Sequence, residues 1–216
     1  MVVRRKLRLD TASGTKELIV EEAERLIAEK GVDNWRLADI AKPLGIKRPA
    51  IYAHFANREA VFVAVLDRAV EGLAVQFPYE SGVEDPKTAL VRGTRRFVLQ
   101  MVQNPAQPRI WMRDLESPEG GLPELQVIIG GDHLTSLSKG RLGPMYRRIH
   151  GLLQDGYEMG QFRRADLVDF CRLVFGTTLF GVFFPTQDIF HRDGSAHVEH
   201  LQHVVEEVML RYLRRD

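Results

Sequence analysis

In the stretch Leu37 to Phe55, LADIAKPLGIKRPAIYAHF, four residues stand in a row, Lys47, Arg48, Pro49 and Ala50, and Tyr52 and His54 follow at alternate positions. Lysine and arginine carry donors suited to guanine O6 and N7 or to phosphate oxygens, and Pro49 and Ala50 offer small apolar surface of the kind that meets a thymine methyl. Tyr52 and His54 bring a hydroxyl and an imidazole, which suit positioning contacts to phosphates. This is chemistry for reading double-stranded DNA, provided that one helix presents the row.

Such a presentation needs two short helices and a tight turn. Leu37, Ile40, Ala41 and Leu44 share one helical face by spacing, and Gly45 can take positive φ after the last turn. A second helix runs from Lys47, with Pro49 tolerated in its first turn because the missing N–H has no helical acceptor there. Ile46, Ile51 and Phe55 then point inward and leave the polar row facing out or sideways. The pattern is a helix-turn-helix, whose second helix fits the roughly 12 Å major groove. Pro43 removes an intrahelical bond and crowds the carbonyl of Asp39, so the first of the two helices should bend or end early.

The flanking chain reads as helices throughout. From about Lys16, Ile19, Ala23, Leu26 and Ile27 recur on one face, with Ser13 or Thr15 as the expected cap and Gly31 as the stop. Ahead of them, Arg4, Arg5, Lys6 and Arg8 form a basic arm, which reads either as a solubilising tail or as a DNA-backbone or minor-groove element. Asn57 can cap a long helix whose apolar stripe runs from Ala60 to about Phe77. Residues 78–86 are turn-rich, Ala89 to Val102 reads helical, and a short helix holds Ile110, Trp111, Met112 and Leu115. Residues 117–144 are expected to be short helices and loops without assignable boundaries.

Toward the C-terminus one helix spans about Pro144 to Met159, stopped by Gly160. The next, Asp166 to Phe184, is apolar nearly all round and must be covered on both sides. In the last, Val198, Leu201, Val205, Val208 and Tyr212 recur at spacings of 3 and 4, with Val204, Met209 and Leu213 widening the stripe. These two helices carry more apolar surface than one protomer buries, so they are expected to build a homodimer interface. No strand-like alternation persists, and the expectation is an all-α chain: an N-terminal three-helix helix-turn-helix DNA-binding domain with its basic arm over residues 1–60, and a C-terminal helical ligand-binding and dimerisation domain over 61–216.

The composition agrees. An apolar share of 44% and a charged share of 27% are those of a soluble globular protein. Net charge is only +1, but residues 1–58 hold 12 Lys/Arg against 8 Asp/Glu and the remainder 18 against 21, so the positive excess lies at the end that carries the helix-turn-helix. A single cysteine, Cys171, makes neither an internal disulfide nor a thiolate metal cage. The basic N-terminus is followed by no apolar core of a leader, and the most apolar run, Leu173 to Phe184, is shorter than the roughly 20 residues that a spanning helix needs, so a cytoplasmic location is expected.

The segment GVDNWRLADIAKPLGIKRPAIYAHFANREAVFVAVLD resembles the N-terminal domain of the tetracycline-repressor (TetR) family: a glycine ending helix one, D-I-A in helix two, the turn and recognition helix ending in Y-x-H-F, then R-E opening helix four. The segment DGYEMGQF is similar to the family's common E-G-x-x-x-G-x-F. The resemblance implies a palindrome-binding dimer released from its operator by a small molecule, hence a ligand-responsive repressor. It implies that Tyr52 and His54 meet phosphates, that Lys47 and Arg48 lie at the groove, and that helix four near Arg58 meets the backbone. Thr15 and Arg36 are counted with these contacts. Lys47 stands where the family usually has serine, Arg36 where a threonine or serine commonly caps helix two, and Pro43 falls inside that helix.

Phe97, Met101, Trp111, Met112, Phe175 and Phe180 are candidates to line an apolar effector pocket; each is equally an ordinary core residue. His197, His200 and His203, with His191 before them, have usable i, i+3 spacing but no cysteine nearby, and are read as solvated or interface histidines with no metal. Asp132, His133, Ser136 and Ser138 have hydrolase-like types, yet no nucleophile elbow, phosphate loop or HExxH motif accompanies them, so neither an enzyme nor a cofactor is expected. The alternative reading is a helical small-molecule-binding protein or enzyme with an incidental helix-turn-helix.

Overall fold

The computed structural model describes residues 12–116, 141–183 and 194–215. All secondary structure among them is helical: α1 (Ala12–Lys30), α2 (Leu37–Leu44), α3 (Arg48–Tyr52), α4 (Arg58–Ala74), α5 (Pro86–Gln103), α6 (Ala106–Leu115), α7 (Gly143–Glu158), α8 (Leu167–Phe183) and α9 (Gly194–Leu213). The basic arm, the Asp132 to Ser138 cluster and His191 lie outside the described residues.

Helix ends follow local chemistry. The Asn57 side chain accepts from the Ala60 N–H at 2.8 Å and starts α4. Asp85 does the same for Thr88 at 2.9 Å, with Pro86 in the first turn of α5. At α2 the start rests on Asp39, whose carboxylate accepts from the backbone N–H of Arg36 at 3.1 Å, so the missing threonine or serine is replaced by the reciprocal half of a capping box. Gly31, Gly45 and Gly160 all have positive φ, as each stop requires. Pro43 is the penultimate residue of α2, so the helix ends one residue after it and needs no kink.

Two expectations are corrected. The first helix begins at Ala12, which puts Ser13 and Thr15 inside it, so neither is its cap. α4 ends at Ala74, and Phe77 is buried in the coil that follows.

The N-terminal helices share a core of Ile19, Ala23, Leu26, Ile27, Trp35, Ile40, Leu44, Ile51, Phe55 and Phe62. Helices shorter than about 12–15 residues are marginal in water, so the five-residue α3 is held by the burial of Ile51 and Phe55 and not by its own hydrogen bonds. Residues 60 and 61 lie within α4, an unbroken helix that packs on both α1 and α7. Beyond it α5 is the central element, touched by α7, α8 and α9. α9 turns Leu201, Val205, Met209 and Leu213 into this core, whereas Val198, Val204, Val208 and Tyr212 are only half-buried. Of α8, Phe170, Cys171, Val174, Thr178 and Leu179 are buried, whereas Leu173 is half-buried and Phe180 is 69% exposed among the described residues.

Candidate functional site

The turn between α2 and α3 is closed by the backbone. Gly45, at φ 67°, donates to Lys42 O at 3.2 Å, and Ile46 donates to Ala41 O at 3.1 Å. A Cβ at Gly45 would meet nothing within 4 Å, so glycine is needed there for its φ and not for space. Lys47 is the extended residue before α3 (φ −87°, ψ 152°), and hydrogen bonds from Ala53, His54 and Phe55 continue the turn past Tyr52.

This geometry turns the row outward. Lys47, Arg48 and Pro49 are exposed, Tyr52 is 55% exposed, and Ala50 and His54 are half-buried. Ile51, fully buried between them, anchors the helix from behind. Two exposed cations, an exposed phenol and a half-buried imidazole therefore lie close in the chain around a buried apolar anchor, groups suited to bases and phosphates.

The other three expected contacts sit differently. Arg36 is exposed at the start of α2. Thr15 is only 8% exposed, inside α1. Arg58 is committed to the fold: its guanidinium donates to Val32 O, lies 3.6 Å from Asp33 Oδ1 and stacks 4.7 Å from the centre of the Trp35 ring. Asp39 also accepts from Lys30 Nζ at 3.2 Å, and that bond, followed by the Arg36 N–H, holds its carboxyl below the usual value.

A second feature lies among α4, α5, α7 and α8. A cavity of about 40 Å³ is walled by Leu73 and Phe77 at the end of α4, Phe97 of α5, Leu142, Met145, Tyr146 and Ile149 at and within α7, and Phe170, Cys171, Val174 and Phe175 of α8. Phe97 and Phe175 stack at 6.1 Å between ring centres. Burial pushes the Cys171 thiol up to about 12, so it stays neutral and acts as one more apolar wall group.

Of the six residues expected at a pocket, only Phe97 and Phe175 line this cavity. Met101 and Trp111 are fully buried elsewhere in the core, Met112 is at the surface, and Phe180 faces outward on α8. The other wall residues carried no signal, because Leu142, Ile149 and Val174 differ from any core aliphatic only in the neighbours that tertiary packing gives them. Among the described residues no three His, Cys, Asp or Glu side chains converge as a metal site; His197, His200 and His203 sit on α9. No described helix is long and apolar enough to cross a membrane.

Comparison with known proteins places the same stretch. Residues 19–65 match the bacterial regulatory proteins of the tetR family. The HTH-type transcriptional regulator EthR of Mycolicibacterium smegmatis is 32% identical over 101 residues, 46% of this chain and 46% of its own length. TtgR of Pseudomonas putida, also an HTH-type transcriptional regulator, is 43% identical over 58 residues, 27% of this chain and 28% of its own. The chain thus aligns with less than half the length of these relatives. Among solved structures, a tetR-family regulatory protein from Rhodococcus superposes with a TM-score of 0.67 at 18% identity, covering 94% of this chain and 98% of that one. PfmR of Thermus thermophilus gives 0.65 at 23% identity, covering 92% and 96%. At these identities the likeness is one of fold, and it extends over both halves of the molecule.

Proposed function

We propose that this chain, which carries the DNA-binding domain of the tetR family of bacterial regulatory proteins, is a transcriptional regulator that represses from a palindromic operator and is released by an apolar small molecule. The observation that carries the reading is the exposed Lys47 to His54 face seated on buried Ile51 within the matched segment. In this reading Lys47, Arg48, Pro49 and Ala50 meet the major groove, Tyr52 and His54 meet phosphates, and Arg36 reaches the backbone beside them. Thr15 and Arg58 support that surface from within. The protein works in the cytoplasm, where its DNA is, and performs no catalysis.

A palindrome requires two copies with recognition helices about 34 Å apart. The exposed Phe180, with half-buried Leu173 of α8 and Val204 of α9 in the same groove, offers an apolar patch for the homodimer contact. Release follows from size. A cavity of about 40 Å³ is far below the roughly 300–1,000 Å³ of ligand pockets, so an effector must push its walls apart. One wall is the end of α4, and Arg148 of α7 holds the same end through Ala74 O and Phe77 O. α4 is a stiff rod whose first turn packs beside Trp35, so a displaced end tilts the helix-turn-helix and alters the half-site spacing.

The test is fluorescence anisotropy on duplexes selected by the protein from a random pool. Binding should be sequence-selective and weaken steeply with salt, and Tyr52→Phe and His54→Ala should each weaken it for all sequences alike while the dimer persists. Equal affinity for all duplexes, or wild-type affinity in both variants, would overturn the reading.

A further inference from the structure

Arg113 of α6 meets the N-terminal helices at three points. Its Nη1 and Nη2 approach the two carboxylate oxygens of Glu59 at 3.3 and 3.2 Å, its Nε lies 3.8 Å from Asp33 Oδ1, and its guanidinium sits 4.1 Å from the centre of the Phe62 ring. Glu59 and Phe62 belong to α4, and Asp33 to the loop between α1 and α2. The same Asp33 oxygen is 3.6 Å from Arg58, which opens α4 and stacks on Trp35 just ahead of α2. One carboxylate is therefore shared by a guanidinium from each half of the molecule.

α6 also packs against α1, and its Ile110 and Trp111 are fully buried. Apolar surfaces tolerate small slides, whereas a hydrogen-bonded pair is lost once donor and acceptor separate beyond about 3.5 Å. The Arg113 fork, at 3.2 and 3.3 Å from the Glu59 oxygens, is thus more sensitive to direction than the packing around it. On its other side α6 packs on α8, whose Phe170, Cys171, Val174 and Phe175 wall the cavity.

We propose that Arg113 is a positioning residue that couples α6 to the helix-turn-helix: a shift of α6 is passed through Glu59 and Asp33 to the first turn of α4 and to the entry of α2. This rests on the effector reading above and adds a second grip on α4, at the end opposite the cavity. Exposed ion pairs contribute little to stability, so the residue acts on position and not on folding.

The experiment uses the full chain and a duplex selected from a random pool by the unsubstituted protein. Cys171→Met overfills the cavity and replaces an effector as the probe; Cys171→Leu, of similar volume and different shape, serves if thermal melts show that the first does not fold. Arg113→Met keeps the stem over Phe62 and removes the fork. Cavity filling should weaken duplex binding by about tenfold or more in the otherwise natural chain and by less than about threefold in the Arg113→Met or Glu59→Gln background. Arg113→Met alone should bind the duplex within about threefold of the unsubstituted protein. An equal loss in all backgrounds overturns the coupling and leaves the effector reading standing. No loss in any background removes the effector reading and the coupling with it. A loss of about tenfold or more from Arg113→Met alone marks a structural support and also overturns the proposal.

Discussion

At the scale of single residues, surface electrostatics here is local and legible in pairs. Tyr79 donates to Asp155 Oδ2 at 2.5 Å across the gap between the α4–α5 connection and α7. Burial, then the bond to Asp155, pushes the Tyr79 phenol up to about 12, and bonds from Ser81 and Tyr79 hold the Asp155 carboxyl below its ordinary value. The two signs oppose. The contribution of Asp155 is complete above the free carboxylate value of about 4 and lost as pH falls through its depressed one. That of Tyr79 is complete below about 10 and lost as pH rises through about 12. Urea melts across pH should therefore show a shallower acid limb in Asp155→Asn and a shallower alkaline limb in Tyr79→Phe; limbs identical to the parent in both would exclude the pair as a source of the pH dependence.

At the scale of elements, α4 matters most, because it belongs to both halves. Its start depends on the single Asn57 to Ala60 bond, so Asn57→Ala should cost about 1 kcal/mol by chemical denaturation, and a change near zero would mean that packing alone sets the start. The cap was legible in the sequence, as were the stops at Gly31, Gly45 and Gly160, since each needs only its own neighbours. The start of α1 was not. Ser13 and Thr15 are competent caps, but the helix continues through them to Ala12, and Thr15 is buried at 8% exposure where a cap would meet solvent. The same limit explains Arg58: its position at the opening of α4 was evident, whereas its engagement with Val32, Asp33 and Trp35 depends on how the α1–α2 loop folds back.

At the scale of the whole molecule, the two readings of the C-terminal helices separate. The apolar stripe of α9 mixes two surfaces: Leu201, Val205, Met209 and Leu213 face the protomer's own core, whereas Val204 and Val208 are half-buried and Val204 shares a groove with Phe180 of α8. If that side joins two copies, Phe180→Glu should shift the protein from dimer to monomer in light scattering and weaken palindrome binding, while thermal unfolding keeps one cooperative transition. A Phe180→Glu chain that stays dimeric at micromolar concentration would move the interface elsewhere.

The helical class, most helix ends and the exposure of Lys47, Arg48, Pro49 and Tyr52 were legible in the sequence, because Ile51 and Phe55 turn inward and leave these neighbours outside; Ala50 and His54 are half-buried. Only the tertiary structure decided which apolar residues enclose the cavity, that Phe180 faces away from it, and that Arg113 reaches across to Glu59 and Asp33. Those contacts join residues far apart in the chain, and no periodicity records which of two faces a helix turns toward a distant partner.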